Sequence, residues 1–284
     1  MRIDSFPVDR RLFGARTVYA EKWEKSALSI EEQGGYEWMA CLLDSFHPHH
    51  ILDIGCGTGN GIAALHKRFP TARIIALDEN PQVISKAKAR LEAAGARVQV
   101  VFRLNDKVTG DRSHSLTIQC GKLRVRPGIN LVECDILDDP EIDAFLRCQR
   151  KFDAITVWLI GSHLLRYHEC DALRDTINNP TEYRLHVQSV AFALASLLLR
   201  NGGALQIVDR GPAPETVEMQ DKVLAMPRMI ASETHGLMHV AGLKYHAYTE
   251  ADTSDAVRMV DDAGNVVRGS KLAFISIIVV KQQC

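Results

Sequence analysis

The clearest pattern of apolar and polar positions lies between residues 51 and 94. Residues 51–54 are an apolar run interrupted by one acid, Asp53, with the length and β-branched content of a strand buried on both faces. After a short glycine-rich turn, Ile62, Leu65 and Phe69 recur at about one-turn spacing and mark a helix that faces a sheet. Residues 73–77 are a second buried run, ending in Asp78 and Glu79. Pro81 then suits the first turn of another helix, which Val83, Ala87, Leu91 and Ala94 continue.

Two alternating runs, 97–105 and 116–125, flank a polar, Gly-containing stretch and predict a β-hairpin inserted at about 98–125. Extension of the sheet edge is its default role; shielding a pocket or making a homodimer contact are the others. Residues 209–214, with two prolines, predict a rigid turn, 215–231 a helix and 242–249 a strand. A hairpin is expected over 257–268, around residues 262–265, and a last apolar strand over 273–280. Ahead of the first strand, helices are plausible around 16–25 and 35–45, the latter with Trp38, Cys41 and Leu42 on one side. The cluster of His47, His49 and His50 lacks helical spacing and reads as a linker. With no internal repeat, the expectation is a helical leader over 1–48 and one domain over 49–284.

A chain of 284 residues, 46% hydrophobic, can bury one sizeable core. Its net charge of −1 and lack of a long basic run argue against a surface that tracks nucleic-acid phosphates. Residues 1–7 lack the basic start and apolar centre of a secretion signal, and no stretch has the roughly 18 apolar residues of a spanning helix, so no membrane partner is expected. The seven cysteines are scattered without a C-x-x-C pair, which fits reduced thiols and a cytoplasmic location.

The turn after the first strand carries Gly55, Gly57 and Gly59 in G-x-G-x-G spacing. Glycines there allow positive φ and let backbone touch a ligand, while a bare β–α turn without ligand is the plainer alternative. Cys56 reads as a small apolar filler. Asp78 lies 25 residues after Asp53, the distance of one turn, one helix and a return strand. A right-handed crossover puts it at the carboxyl edge beside the glycine turn, where its two oxygens match the vicinal hydroxyls of a ribose. Capping the next helix is its alternative role.

These residues resemble the class I, Rossmann-like S-adenosylmethionine-dependent methyltransferases. Residues 53–59 are similar to that family's first motif and 77–81 to its second; nicotinamide enzymes usually carry G-x-G-x-x-G without the preceding acid. Residues 130–136 resemble the third-strand motif, whose acid, here Asp135, meets the adenine amine. Residues 152–158 and 199–208 resemble the fourth and fifth strands. The resemblance, over about 50–210 and a final strand near 272–281, implies a doubly wound, seven-stranded, mostly parallel α/β sheet with strand seven antiparallel. It implies S-adenosyl-L-methionine as cofactor, held by Asp53, Gly55, Cys56, Gly57, Gly59, Asp78, Glu79, Asp135, Ile136, Trp158 and Tyr19. The family pattern is departed from between Asp78 and Asp135, where about 30 residues more than helix, loop and strand require are present. The leader resembles a lid closing over the cofactor, with Tyr19, Trp23, Gln33 and Tyr36 as candidate contacts or as packing residues.

Methyl transfer from a sulfonium is an in-line displacement that asks the protein mainly to position the acceptor and exclude water. Ligands of open α/β sheets sit beyond the carboxyl ends of strands, so the fourth-strand exit, residues 158–163, is the expected acceptor end. His163 is the candidate general base, or else a structural histidine. Trp158 either stacks on adenine or acceptor, or packs in the core. Arg166, His168, Glu169, Asp171, Tyr183 and Arg184 could line the acceptor pocket, though a solvated helix face is the simpler reading for each. His235 and His239, four apart, lack a third ligand of matching spacing, and no metal is expected. The expected function is therefore methylation of a small-molecule metabolite at O, N or C, with nucleic acid an improbable partner. The alternatives are a protein or RNA methyltransferase, aminopropyl transfer on the same fold, and a catalytically inactive cofactor-binding module.

Overall fold

The computed structural model describes residues 7–101, 104–108, 114–118, 125–139, 141–161, 177, 179–234, 238–250, 256, 259 and 271–282. The buried run after the leader forms β1 (His50–Ile54), and the apolar rhythm beyond it forms α3 (Asn60–Arg68), β2 (Arg73–Asp78) and α4 (Pro81–Ala93). Asn80 caps α4 by accepting from the Gln82 N–H at 3.0 Å, and Pro81 occupies the first turn as its fixed φ favours. The leader is α1 (Pro7–Glu32), α2 (Gly35–Cys41) and a 3-10 turn, Asp44–Phe46. α1 extends beyond the expected 16–25 at both ends.

Strands β3 (Val98–Val101), β4 (Leu104–Val108), β5 (His114–Ile118), β6 (Ile129–Glu133) and β7 (Phe152–Trp158) follow, with α5 (Ile142–Arg147) between the last two. The chain then forms α6 (Pro180–Leu198), β8 (Leu199–Pro212), α7 (Val217–Ser232), β9 (Met238–Ala247) and β10 (Leu272–Lys281). Eight described strands make one sheet in the order β3-β6-β2-β1-β7-β8-β10-β9. The pairings from β3 to β8 are parallel, and β10 runs antiparallel to both β8 and β9.

This is the doubly wound architecture expected, with one strand more than seven. The additional strand comes from the insertion. Its first run splits, so that β3 joins the sheet edge beside β6 while β4 and β5 pair as a separate antiparallel hairpin. Alternation suits an edge strand and a hairpin arm equally, so the pattern alone did not separate them. A second correction concerns 209–214: β8 continues through Asp209 and Arg210 to Pro212, because β10 pairs with it from Ala204 to Pro212. A proline is tolerated there because it ends the strand. The strand expected at 242–249 starts earlier, at Met238, and the hairpin expected at 257–268 lies outside the described residues.

The alternation of β1 divides the core. Leu52 and Ile54 join Leu77, Ile155, Val157 and Phe192 on one face, under α5, α6 and α7. Ile51 joins Ile74, Ile62, Leu65, Ile84 and Trp23 on the other, under the leader, α3 and α4. The leader is tied down by polar contacts as well. Gln206, fully buried, donates to the Met39 carbonyl at 3.0 Å and to Ser276 Oγ at 3.1 Å. Glu31, near the end of α1, accepts from Asn60 at 2.7 Å and Arg90 at 3.0 Å, and Lys86 meets Glu24 at 2.5 Å. Together these hold α1 across the carboxyl edge of β1 and β2.

Candidate active site

All three turn glycines have positive φ: Gly55 at 81°, Gly57 at 51° and Gly59 at 82°. The turn is strapped to β2. Gly55 and Cys56 N–H both donate to the Leu77 carbonyl, at 2.8 and 2.9 Å, and Gly57 N–H donates to Asp78 Oδ2 at 2.9 Å. Asp78 Oδ1 accepts from the Asn80 N–H at 2.9 Å. Asn80 in turn donates to the Arg16 carbonyl of α1 at 3.1 Å. The acid expected to meet a ribose is thus also the brace of the turn, and each oxygen accepts one backbone N–H while retaining a further lone pair.

Beneath α1 an open cleft of about 630 Å³ runs from Asp78, Glu79 and Asn80 along the glycine turn to the β7 exit. Asp135 and Ile136, just beyond β6, line one end, and Tyr19 and Trp23 of α1 overhang it. On the other side of the turn a smaller chamber of about 290 Å³ is lined by Asp53, Cys56, Asn60, Tyr36 and Trp158, with Trp23 and Gly55 shared between the two spaces. Thr156 Oγ1 donates to Asp53 Oδ1 at 2.5 Å.

Burial pushes the carboxyls of Asp53 and Asp78 up to about 7; the Thr156 bond opposes the rise at Asp53, as the Asn80 and Gly57 N–H bonds do at Asp78. Burial also raises the Tyr19 hydroxyl, reinforced by the Asp78 charge, so it stays protonated. The Cys56 thiol is raised well above its ordinary value for the same reason, and it fits the role of filler.

Most of the expected residues come together. Tyr19, Gly55, Gly57, Asp78, Glu79, Asp135 and Ile136 line the cleft, and Asp53 and Cys56 the adjoining chamber. Gly59 lines neither; a Cβ there would lie 2.9 Å from Ala87 Cβ, so this glycine lets α3 pack on α4. Trp158 joins Asp53 and Cys56 at the chamber rather than at the cleft. Its side chain lies on the leader face of the sheet, where its N–H donates to Gln206 Oε1 at 3.1 Å, and it does not line the cleft with Asp135. Gln33 follows its packing alternative: it exchanges two 2.8 Å bonds with the Thr249 backbone and anchors the leader. His163, Arg166, His168, Glu169, Asp171 and His235 lie outside the described residues.

Other lining residues were underrated or missed. Tyr183, read as a solvated helix position, is 4% exposed and lines the cleft with Val187, one turn further along α6. Their four-residue spacing, continued by Ala191, was the available signal. Leu159 and Ile160 complete the β7 exit; Leu159 has φ 58°, which no sequence pattern announced.

Residues 51–107 match the family described as a methyltransferase domain. Trans-aconitate 2-methyltransferase of Escherichia coli O1:K1 / APEC is 50% identical over 42 residues, 15% of this chain and 17% of that protein. Its counterpart in Escherichia coli O157:H7 (strain EC4115 / EHEC) is 45% identical over the same length. The similarity thus spans about one sixth of the curated relatives' length. Among solved structures, a putative sarcosine dimethylglycine methyltransferase from Galdieria sulphuraria aligns over 96% of this chain and 98% of its own, with 13% identity and a TM-score of 0.46. The plantazolicin methyltransferase BpumL, solved in complex with SAH, aligns over 96% of this chain and 97% of its own, with 13% identity and a TM-score of 0.44.

Proposed function

From the class I, Rossmann-like methyltransferase fold that this chain carries, we propose that it binds S-adenosylmethionine at the 55–59 turn and methylates a small molecule in the cleft under α1. The observation that carries this reading is the cleft itself, which joins Asp78 and the glycine turn to the β7 exit beneath Tyr19 and Trp23. A nucleoside acid and an acceptor end therefore share one roofed space.

The residues fit the group. Gly55 and Gly57 let the turn lie directly against Ile160 and Trp23, where a Cβ would come within 2.3 and 2.5 Å, and Asp78 presents a buried carboxylate at the end of β2 where ribose hydroxyls need an acceptor. Asp135 and Ile136 would hold the adenine, and the chamber beside Asp53 would hold the amino-acid portion. When bound, the cofactor supplies a methyl group on a positively charged sulfur that is already a good leaving group. The chain's own contribution is to orient the acceptor and keep water out, the work of Tyr19, Trp23 and the buried β7 exit. His163 is our proposal for a base, needed only where the acceptor must lose a proton as it attacks.

Titration calorimetry with S-adenosylmethionine tests the reading first; no heat of binding at millimolar ligand would overturn it. Incubation of the protein with labelled methyl donor and a cell extract then separates the acceptor classes. Label is expected in the low-molecular-weight fraction, and label confined to protein or RNA would replace the small-molecule reading.

The raised carboxyls add a pH dependence. A carboxyl whose folded pKa exceeds its unfolded value contributes stability below about pH 4 that is lost as pH rises through about 7. A cation binding beside Asp53 and Asp78 favours their ionised forms, so its affinity should run the other way. S-adenosylmethionine affinity is expected to rise about tenfold between pH 6 and pH 8 for each of the two carboxyls that must ionise, and then level off. Calorimetry across that range checks it, and a flat profile would remove these carboxylates from cofactor recognition.

A further inference from the structure

We propose that the end of the cleft beyond the glycine turn is an acceptor subsite for a neutral, flat, largely apolar molecule seated under the Tyr19 hydroxyl, rather than for a carboxylate-bearing one. This inference rests on the methyl-transfer reading and names its acceptor class.

The floor of this end is the β7 exit. Leu159 takes the left-handed conformation at φ 58°, an uncommon state for a branched, bulky residue, and its N–H is held by the Val208 carbonyl at 2.8 Å. The turn so formed brings Leu159 and Ile160 to the cleft wall. Ile160 Cδ1 lies 2.3 Å from where a Gly55 Cβ would stand, so an apolar step separates the glycine turn from the acceptor end. Beyond it Gly161 passes beneath Tyr19, whose hydroxyl is 2.5 Å from the Cβ position there. On α6, Tyr183 and Val187 share one face and form the opposite wall. Among the described residues, the surfaces a ligand meets at this end are therefore aliphatic and aromatic, with a phenol as the polar handle.

Two guanidinium groups on the bounding elements, those of Arg184 and Arg210, are answered from within the chain. Arg184, beside Tyr183, faces Asp209 at 3.6 Å. Arg210 of β8 faces Glu250 at 3.5 Å, with both side chains nearly buried. A carboxylate entering this end would give up hydration against Leu159, Ile160 and Val187, while Asp78 and Glu79 line the same cleft. A neutral ring pays no such desolvation penalty, gains contact area and meets aromatic faces. One hydroxyl on that ring could accept from Tyr19, which burial keeps protonated.

A matched pair of probes tests the assignment: 2-naphthol and 6-hydroxy-2-naphthoic acid, which share a skeleton and differ by the carboxylate. Each is titrated by calorimetry into the protein loaded with S-adenosylhomocysteine, so that no turnover occurs. We expect 2-naphthol to bind at least tenfold more tightly. Val187→Lys should narrow or reverse that preference, and Tyr19→Phe should weaken 2-naphthol severalfold. Val187→Ala serves if the lysine variant fails to fold, and should alter 2-naphthol affinity while S-adenosylhomocysteine affinity holds. Equal or tighter binding of the naphthoate, or binding of neither probe by the loaded protein, would overturn the assignment. Failure to load S-adenosylhomocysteine is seen separately, in the first titration, and counts against the methyl-transfer reading instead.

Discussion

Asp78→Ala should weaken S-adenosylmethionine binding by at least ~100-fold, since hydrogen bonds to a charged group contribute about 1.5–3 kcal/mol each and a ribose diol offers two. The substitution also strips the acceptor from the Gly57 and Asn80 N–H groups, each now bonded at 2.9 Å. Leaving such donors buried and unmet costs roughly 1–3 kcal/mol apiece, so a lower melting temperature should accompany the lost affinity. Two measurements separate these effects. Calorimetry on the fully folded variant, below its melting transition, reports recognition; a thermal melt reports the brace. Asp78→Asn is the informative partner, because its amide retains one acceptor oxygen but turns an N–H₂ toward a backbone donor. It should fall between wild type and alanine in stability while binding the cofactor poorly. Unchanged affinity in the alanine variant would leave Asp78 as a brace of the turn and nothing more.

What was legible in the sequence is what is encoded locally. The glycines, the strand before them and the acid at the next strand's end sit within residues 50–78, and their spacing alone brings Asp78 to the turn. Features that depend on distant partners were harder to read. Residues 98–101 become a sheet edge only because β6 presents an open flank, and Pro212 stays in a strand only because β10 runs alongside. Trp158 was open to a simple parity argument. Asp53 pairs with Thr156, so a residue two positions beyond Thr156 lies on the same face as Asp53, toward the leader. The left-handed Leu159 had no signal at all, since leucine is among the residues least suited to that conformation. The proposed acceptor end is therefore the less readable half of the site: it is assembled from α1, the β7 exit and α6, which meet only in the folded chain.

The third glycine of the turn offers the sharpest test of how the site is built, through a comparison with Gly95. Both have positive φ, 82° and 79°, so an alanine at either carries a similar left-handed penalty of about 1–2 kcal/mol. Their surroundings differ. A Cβ at Gly95 would meet nothing within 4 Å, whereas one at Gly59 would lie 2.9 Å from Ala87 Cβ and 3.0 Å from Ala87 Cα. Those atoms belong to the backbone and first carbon of α4 and cannot swing aside as a side-chain tip would. Relief requires α3 and α4 to separate, an overpacking cost of about 1–3 kcal/mol beyond the shared φ penalty. Against a net stability of roughly 5–15 kcal/mol, Gly59→Ala should therefore be distinctly the less stable variant. With about 2–4 °C lost per kcal/mol for chains of this order of size, its melting temperature should fall several degrees below that of Gly95→Ala. Cofactor affinity should fall with it, because α3 begins at Asn60 and its displacement moves the turn against Asp78. Equal melting temperatures would mean that Gly59 is required for its φ alone, and that the close approach of α3 to α4 does not hold the glycine turn in place.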